Sequence, residues 1–256
     1  SRGLGDVYKR QAYLGIWVIS PKRLFTNNWQ DELWLVAGGI FGGSLYFFTE
    51  NTALGITQAS NVSFIICTAP LLTTILSLLF YKSEKASKGL IYGSLLALMG
   101  VGLIVFNGSF VLKISPIGDL LTLLAALSWA FYSLIIKKMA GRYPTIFITR
   151  KIFFYGVLTI LPAFLLHPLH PDTAVLLQPA VLFNLLFLAV LASLICYVLW
   201  NVVLKQLGTV RASNYIYLNP LVTMIASFLI LDEKITLVAL GGAACIVCGV
   251  YWAEKK

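Results

Sequence analysis

Glu50 is the only carboxylate of this chain lodged inside a long apolar run rather than at its edge, a little ahead of Gly55. Holding a carboxylate in hydrocarbon costs a few kcal/mol, so it must face a cavity, a partner or interfacial water. In a cavity it could contact a cationic or amino group of a solute, or carry a coupling proton. At the outer end of a span it would only reach interfacial water. The other polar side chains in apolar runs are amides, hydroxyls and aromatics, among them Asn51, Asn61, Trp129, Tyr132, Tyr197, Trp200, Asn201, Asn214, Tyr217 and Asn219. Trp129 and Tyr132 stand three residues apart and share a helix face, as do Tyr197 and Trp200. Such faces suit a weakly charged, amphipathic metabolite held by stacking and hydrogen bonds. Interfacial belts and interhelical hydrogen bonding are the alternative uses of the same residues. Pro70 and Pro220 lie in mid-run. Each removes a backbone donor and crowds the preceding turn, which frees a carbonyl and allows a kink.

Many of these positions recur in register. Asn51, Leu54, Ser63, Pro70 and Leu71 match Asn201, Leu204, Ser213, Pro220 and Leu221 at a shift of 150. After one deletion, Glu84, Gly93, Gly100 and Val101 match Glu233, Gly242, Gly249 and Val250 at a shift of 149. Matched helix-breakers in two halves of a membrane protein point to a transport site at the repeat interface, so a gating or cavity-shaping role is expected for both prolines. Glu50 falls opposite Trp200, so the halves diverge at the costly position while Asn51 and Asn201 agree. Gly93, Gly100, Gly102, Gly242 and Gly249 recur at one- or two-turn spacing, which predicts close helix packing.

The elements that must position these residues are membrane spans. Apolar residues make up 59% of the chain and charged residues 11%, where a soluble domain carries about 25% charge. Hydrophobic runs predict spans at 33–54, 57–80, 89–106, 117–136, 146–166, 180–204, 212–231 and 235–252, with an apolar stub at 12–20 too short to cross. Beyond residue 10, every Lys and Arg except Lys113 and Lys234 falls on one side of these spans, which the bias of basic residues makes cytoplasmic. That places the C-terminus in the cytoplasm, in a bacterial inner membrane. It also accounts for the net charge of +9 without nucleic acid as a partner. Repeat-equivalent spans lie five helices apart, so the halves are inserted in opposite senses. The loop after 57–80 carries Lys82, Lys85 and Lys88, whereas its counterpart carries Asp232 and Glu233.

The chain resembles the EamA-type permeases of the drug/metabolite transporter superfamily. The resemblance rests on GDLLTLLAALSWAFYSLIIKK at 118–138, ASNVSFIICTAPLLTTILSLLFYKSE at 59–84 and RASNYIYLNPLVTMIASFLILDEKIT at 211–236, with GSLLALMGVGLIVF and GGAACIVCGVYW closing the two halves. It implies an all-α polytopic membrane protein of two inverted five-helix repeats, ten spans in the intact protein and about eight or nine here. It further implies a central cavity and secondary transport of small metabolites, often efflux. The repeats are expected at 12–106 (incomplete) and 117–252. Residues 1–11, SRGLGDVYKRQ, are polar and resemble a peptide translated from library-adapter sequence. Shifting the second half back by 150 sets the helical Arg150–Leu161 region over them, so they are expected to be non-native, with a real cytoplasmic tail as the alternative.

Other classes are disfavoured. An intramembrane enzyme would need paired carboxylates, an H-E-x-x-H or a Ser/His pair at membrane depth. A passive channel would be expected to show a ring of like charges. Cys67, Cys196, Cys245 and Cys248 all lie in apolar segments and read as small buried packing residues, and His167 and His170 fall in a Pro-rich interhelical turn. No cofactor or metal is expected. The expected partners are a small-molecule substrate, the lipid bilayer and a coupling proton, and a homodimer is compatible with the pattern.

Overall fold

Asn28 starts the first helix: its side chain accepts a hydrogen bond from the Asp31 N–H at 2.7 Å. Asp31 and Glu32 fill the first turn, where carboxylates meet the positive end of the peptide dipoles. The helix therefore begins a turn ahead of the apolar run at Leu33, where the sequence reading starts it. The computed structural model describes residues 26–81, 87–106, 115–166, 178–231 and 235–255. Expectations for residues 1–11, the stub at 12–20, the His167–His170 turn, and Lys82, Lys85, Glu84, Lys113, Asp232, Glu233 and Lys234 lie outside the described residues.

Eight helical stretches follow in order: α1 (29–54), α2 (Ala59–Phe80), α3 (Lys88–Phe106), α4 (Pro116–Ala140), α5 (Thr145–Leu166), α6 (Pro179–Leu207), α7 (209–231) and α8 (Leu237–Glu254). Among the described residues, 7 helices are long and apolar enough to cross a membrane, namely α2 to α8. Length is no obstacle for α1; its Gly pairs, Thr49, Glu50 and Asn51 make it less apolar. Leu79, Phe80, Leu229 and Ile230 stand exposed on helix surfaces, which suits helices whose solvent is hydrocarbon. The expectation of buried cysteines holds for Cys67 and fails for Cys196 and Cys248, which lie on exposed helix faces.

Both proline-bearing helices are interrupted. In α2 the first segment ends at Ile66 and the second begins at Ala69, with the Thr68 N–H bonded to the Ile65 carbonyl at 2.9 Å. In α7, Thr209–Asn214 tightens into a 3-10 turn at Tyr215–Leu218 before Asn219–Leu231 resumes. Pro70 and Pro220 each occupy the second position of the resumed segment. A first-turn N–H has no intrahelical partner, so proline costs nothing there and its fixed φ favours the restart. The expected kink is thus a break and restart.

Two wide, π-helical stretches were not foreseen: Ile40–Ser44 within α1 and Phe187–Ile195 within α6. The repeat shift carries 40–44 onto 190–194, inside the second stretch. Their sequences, IFGGS and FLAVLASLI, share no pattern that marks an extra residue in a turn.

Helix α6 gives way to α7 through Gly208 alone, at φ 81° and ψ 162°. That region is essentially reserved for glycine, and other residues there cost about 1–3 kcal/mol. Nothing lies within 4 Å of a Cβ built at Gly208, so the cost is one of backbone alone. Gly208→Ala is therefore expected to lower the thermal midpoint by a few degrees without altering side-chain packing. A midpoint equal to wild type would rule out this backbone geometry.

Two compact units emerge. Of the described residues, one unit joins those up to Phe48 with those of Phe131–Gln206, and the other joins those of Thr49–Ala130 with those from Leu207 on. In the second, α3 and α8 meet backbone to backbone. A Cβ on Gly93 would fall on the Gly249 carbonyl, and one on Gly100 would lie 2.5 Å from the Gly242 carbonyl oxygen. Gly93 and Gly242 are repeat mates, as are Gly100 and Gly249. Each glycine thus meets the mate of the other, the swapped pairing that a two-fold axis imposes.

Candidate functional site

Within the first unit, three of the expected site residues meet. The Tyr132 hydroxyl donates to Asn201 Oδ1 at 2.7 Å, and Asn201 Nδ2 donates to Thr149 Oγ1 at 2.8 Å. The Tyr132 and Tyr197 rings lie 6.0 Å apart, and Phe153 packs on Tyr197 at 5.1 Å. The Tyr197 hydroxyl donates to the Gly42 carbonyl at 2.8 Å, inside the first π-helical stretch. Gly42 is required there, since a Cβ would run into the Tyr132 ring. All these side chains are buried. A solute reaching them would therefore exchange bonds with an assembled network instead of meeting idle polar groups. Trp200 is half-buried on the same helix as Tyr197 and Asn201.

The same unit holds a charged cluster that the sequence reading passed over. Asp31 accepts from Arg142 at 2.5 Å and from the Tyr143 hydroxyl at 2.8 Å. Glu32, its neighbour, pairs with Lys151 at 2.5 Å and also accepts from Tyr155 and from Thr26 Oγ1. Lys138 sits over the Trp34 ring at 3.7 Å. Each carboxylate therefore has one cation and one tyrosine. Burial pushes the Glu32 carboxyl up, but the hydrogen bonds from Lys151, Thr26 and Tyr155 outweigh it and bring it from 4.5 to about 2. Asp31 and Glu32 retain only 3% and 7% of their exposure. Glu50, half-buried, is thus not the most enclosed carboxylate. Arg150 and Lys151, counted among the cytoplasmic basic residues, are buried in α5 past its first turn. The available signal was Asp-Glu directly ahead of an apolar run, with two cations inside another.

In the second unit, Asn61, Asn214 and Tyr217 are buried, Glu50 and Trp129 half-buried, and Asn51 and Asn219 exposed. Ser94 Oγ donates to Asn214 Oδ1 at 3.4 Å, and Tyr217 packs in a core with Cys67, Ala97, Val101 and Ile246. Pro70 and Pro220 are both buried in this unit. Among the described residues, no three His, Cys, Asp or Glu side chains gather as a metal site.

The profile described as the EamA-like transporter family matches residues 12–106 and 116–253. The chain belongs to that family. A protein of Archaeoglobus fulgidus named "Uncharacterized transporter" is 28% identical to this EamA-family chain over 242 residues, which are 94% of the chain and 82% of the relative. A Salmonella typhimurium protein named "Probable amino-acid metabolite efflux pump" is 29% identical over 182 residues, 67% of this chain and 60% of that one. A solved crystal structure shares the fold, with a TM-score of 0.81 at 17% identity, covering 98% of this chain and 86% of the other. The EamA-family chain is thus a multi-pass, all-helical membrane transporter.

Proposed function

We propose that this EamA-family chain is a secondary transporter that exports a small metabolite, an amino acid or a related amphipathic compound. It works by alternating access of two inverted repeats in a bacterial inner membrane, with the C-terminus in the cytoplasm. The observation that carries the reading is the pair of breaks ahead of Pro70 and Pro220, at repeat-equivalent positions of α2 and α7. Discontinuous helices related by an inverted repeat are how such transporters build a site near the middle of the bilayer. Efflux and the amino-acid class draw support from the name of the Salmonella relative. The cytoplasmic C-terminus draws support from the placement of Lys and Arg.

In this reading the candidate solute contacts are Tyr132, Tyr197, Trp200 and Asn201 in the first unit and, taken separately, Asn51, Asn61, Trp129, Asn214, Tyr217 and Asn219 in the second. Glu50 meets its amino group or carries the coupling proton. Pro70 and Pro220 mark the segments that move.

Counterflow in proteoliposomes at two pH values, against a panel of amino acids and amphipathic metabolites, tests the function. Exchange of at least one panel member is expected. Uptake of none, together with hydrolysis of a lipid or peptide, would overturn it. Glu50→Gln is expected to reduce exchange about tenfold or more, because a hydrogen bond to a charged group contributes about 1.5–3 kcal/mol. Unchanged exchange with an unchanged pH profile would remove Glu50 from the mechanism.

A further inference from the structure

The first half of α7 carries several buried polar side chains of the second unit. Thr209 and Ser213 are four residues apart, Tyr217 follows four further on, and Asn214 adjoins Ser213. In a helix that spacing sets them along one face. All four residues have no exposed surface. Yet Thr209 Oγ1, Ser213 Oγ and Asn214 Nδ2 have no hydrogen-bond partner in the protein, while the Tyr217 hydroxyl at the inner end lies beside Ser94. The second segment of α2 packs against this half of α7, and its Thr73 Oγ1 is likewise unpartnered and its residue fully buried. At the end where α7 begins, Arg211 Nε stands 4.0 Å from Glu254 Oε2 while Glu254 Oε1 is buried without a partner.

Native interiors rarely leave one such atom unsatisfied, and a run of them on one helix face calls for a common explanation. Each orphan is a hydroxyl, an amide or a carboxylate oxygen, with no cation in the run beyond Arg211 at its end. A neutral ligand that both donates and accepts, and is small enough to repeat along the face, fits that chemistry, and water does so with two to four bonds per molecule. The 3-10 turn at Tyr215–Leu218 redirects backbone bonding at the inner end of the face.

We propose that ordered water lines this face of α7, forming a hydrated file from the Arg211–Glu254 end inward to Tyr217. The file is a property of the second unit and does not depend on which solute is carried. It supplies a route along which a proton or a desolvating solute finds hydrogen-bond partners at membrane depth.

Thr209→Val and Ser213→Ala, each made singly in the full chain in lipid nanodiscs, test it through the thermal midpoint. If water is bound, each change strips bonds from it, and the midpoint is expected to fall by roughly 2–4 °C per bond of ordinary strength lost. If the face is dry, each change removes an unsatisfied group, and a higher midpoint would overturn the proposal. A second measurement covers a variant that fails to fold. Ser213→Cys in a cysteine-free background is expected to react with a small cationic methanethiosulfonate from water, while Ala212→Cys on the neighbouring face stays inert. Equal inertness of the two would also overturn the proposal.

Discussion

Lys151→Met is expected to destabilise the chain by about 3–5 kcal/mol, because it strands the buried Glu32 carboxylate without its cation. The double change Glu32→Leu with Lys151→Met should recover most of that loss, since removing both charges also removes their desolvation. Denaturant titration of the two variants and the wild type in one detergent measures the difference. A single change costing no more than a surface pair, below about 1 kcal/mol, would show that water reaches Lys151. The same pair predicts an acid limb. The Glu32 carboxyl falls from 4.5 to about 2 on folding, so the stability it contributes is fully present above pH 4.5 and is lost as pH falls towards 2. A stability–pH curve should slope in this window for the wild type and flatten in the double variant.

Gly100→Leu is expected to be worse still. Overpacking an ordinary core site costs about 1–3 kcal/mol, but here the obstacle is the Gly242 carbonyl, 2.5 Å from where a Cβ would sit, and a backbone cannot rotate aside. The chain should fail to reach a monodisperse helical state, and Gly100→Ala should already lower its thermal midpoint. Gly241→Ala is the matched control, one residue from the contact on α8 with nothing within 4 Å of its Cβ. Size-exclusion profiles and thermal midpoints of the three variants separate the outcomes. A well-folded Gly100→Leu would mean that α3 and α8 do not meet at these glycines.

What could be read in the sequence divides along physical lines. Spans announced themselves because hydropathy sums over about twenty residues, so local errors average out; the exceptions are terminal turns, where caps such as Asn28 extend α1 past its apolar run. The glycine contact was legible because only a residue without Cβ permits it and the spacing repeats. Pro70 and Pro220 were legible as breakers, though not as the second residues of restarted helices. The π-helical stretches were hidden, since one extra residue per turn leaves no compositional trace in IFGGS. The Asp31–Glu32 cluster was missed for a different reason. Their partners Arg142, Tyr143, Lys151 and Tyr155 lie more than a hundred residues away, and a count of basic residues assigns such cations to loops before asking what they touch. Tyr132, Tyr197 and Asn201 were picked individually, and only the fold shows that they bond into one network.

The swapped glycine pairing at the α3–α8 crossing is the contact a half-length chain would make with an oppositely inserted copy of itself. In such a pair every mutation would strike both sides of the axis at once, so a carboxylate could not enter one half without entering the other. Joined in a single chain, the two sides mutate independently while the crossing keeps them in register. A scaffold that stays symmetric at its glycines can then carry chemistry that is not, with Glu50 in one repeat and Trp200 at the matching position of the other.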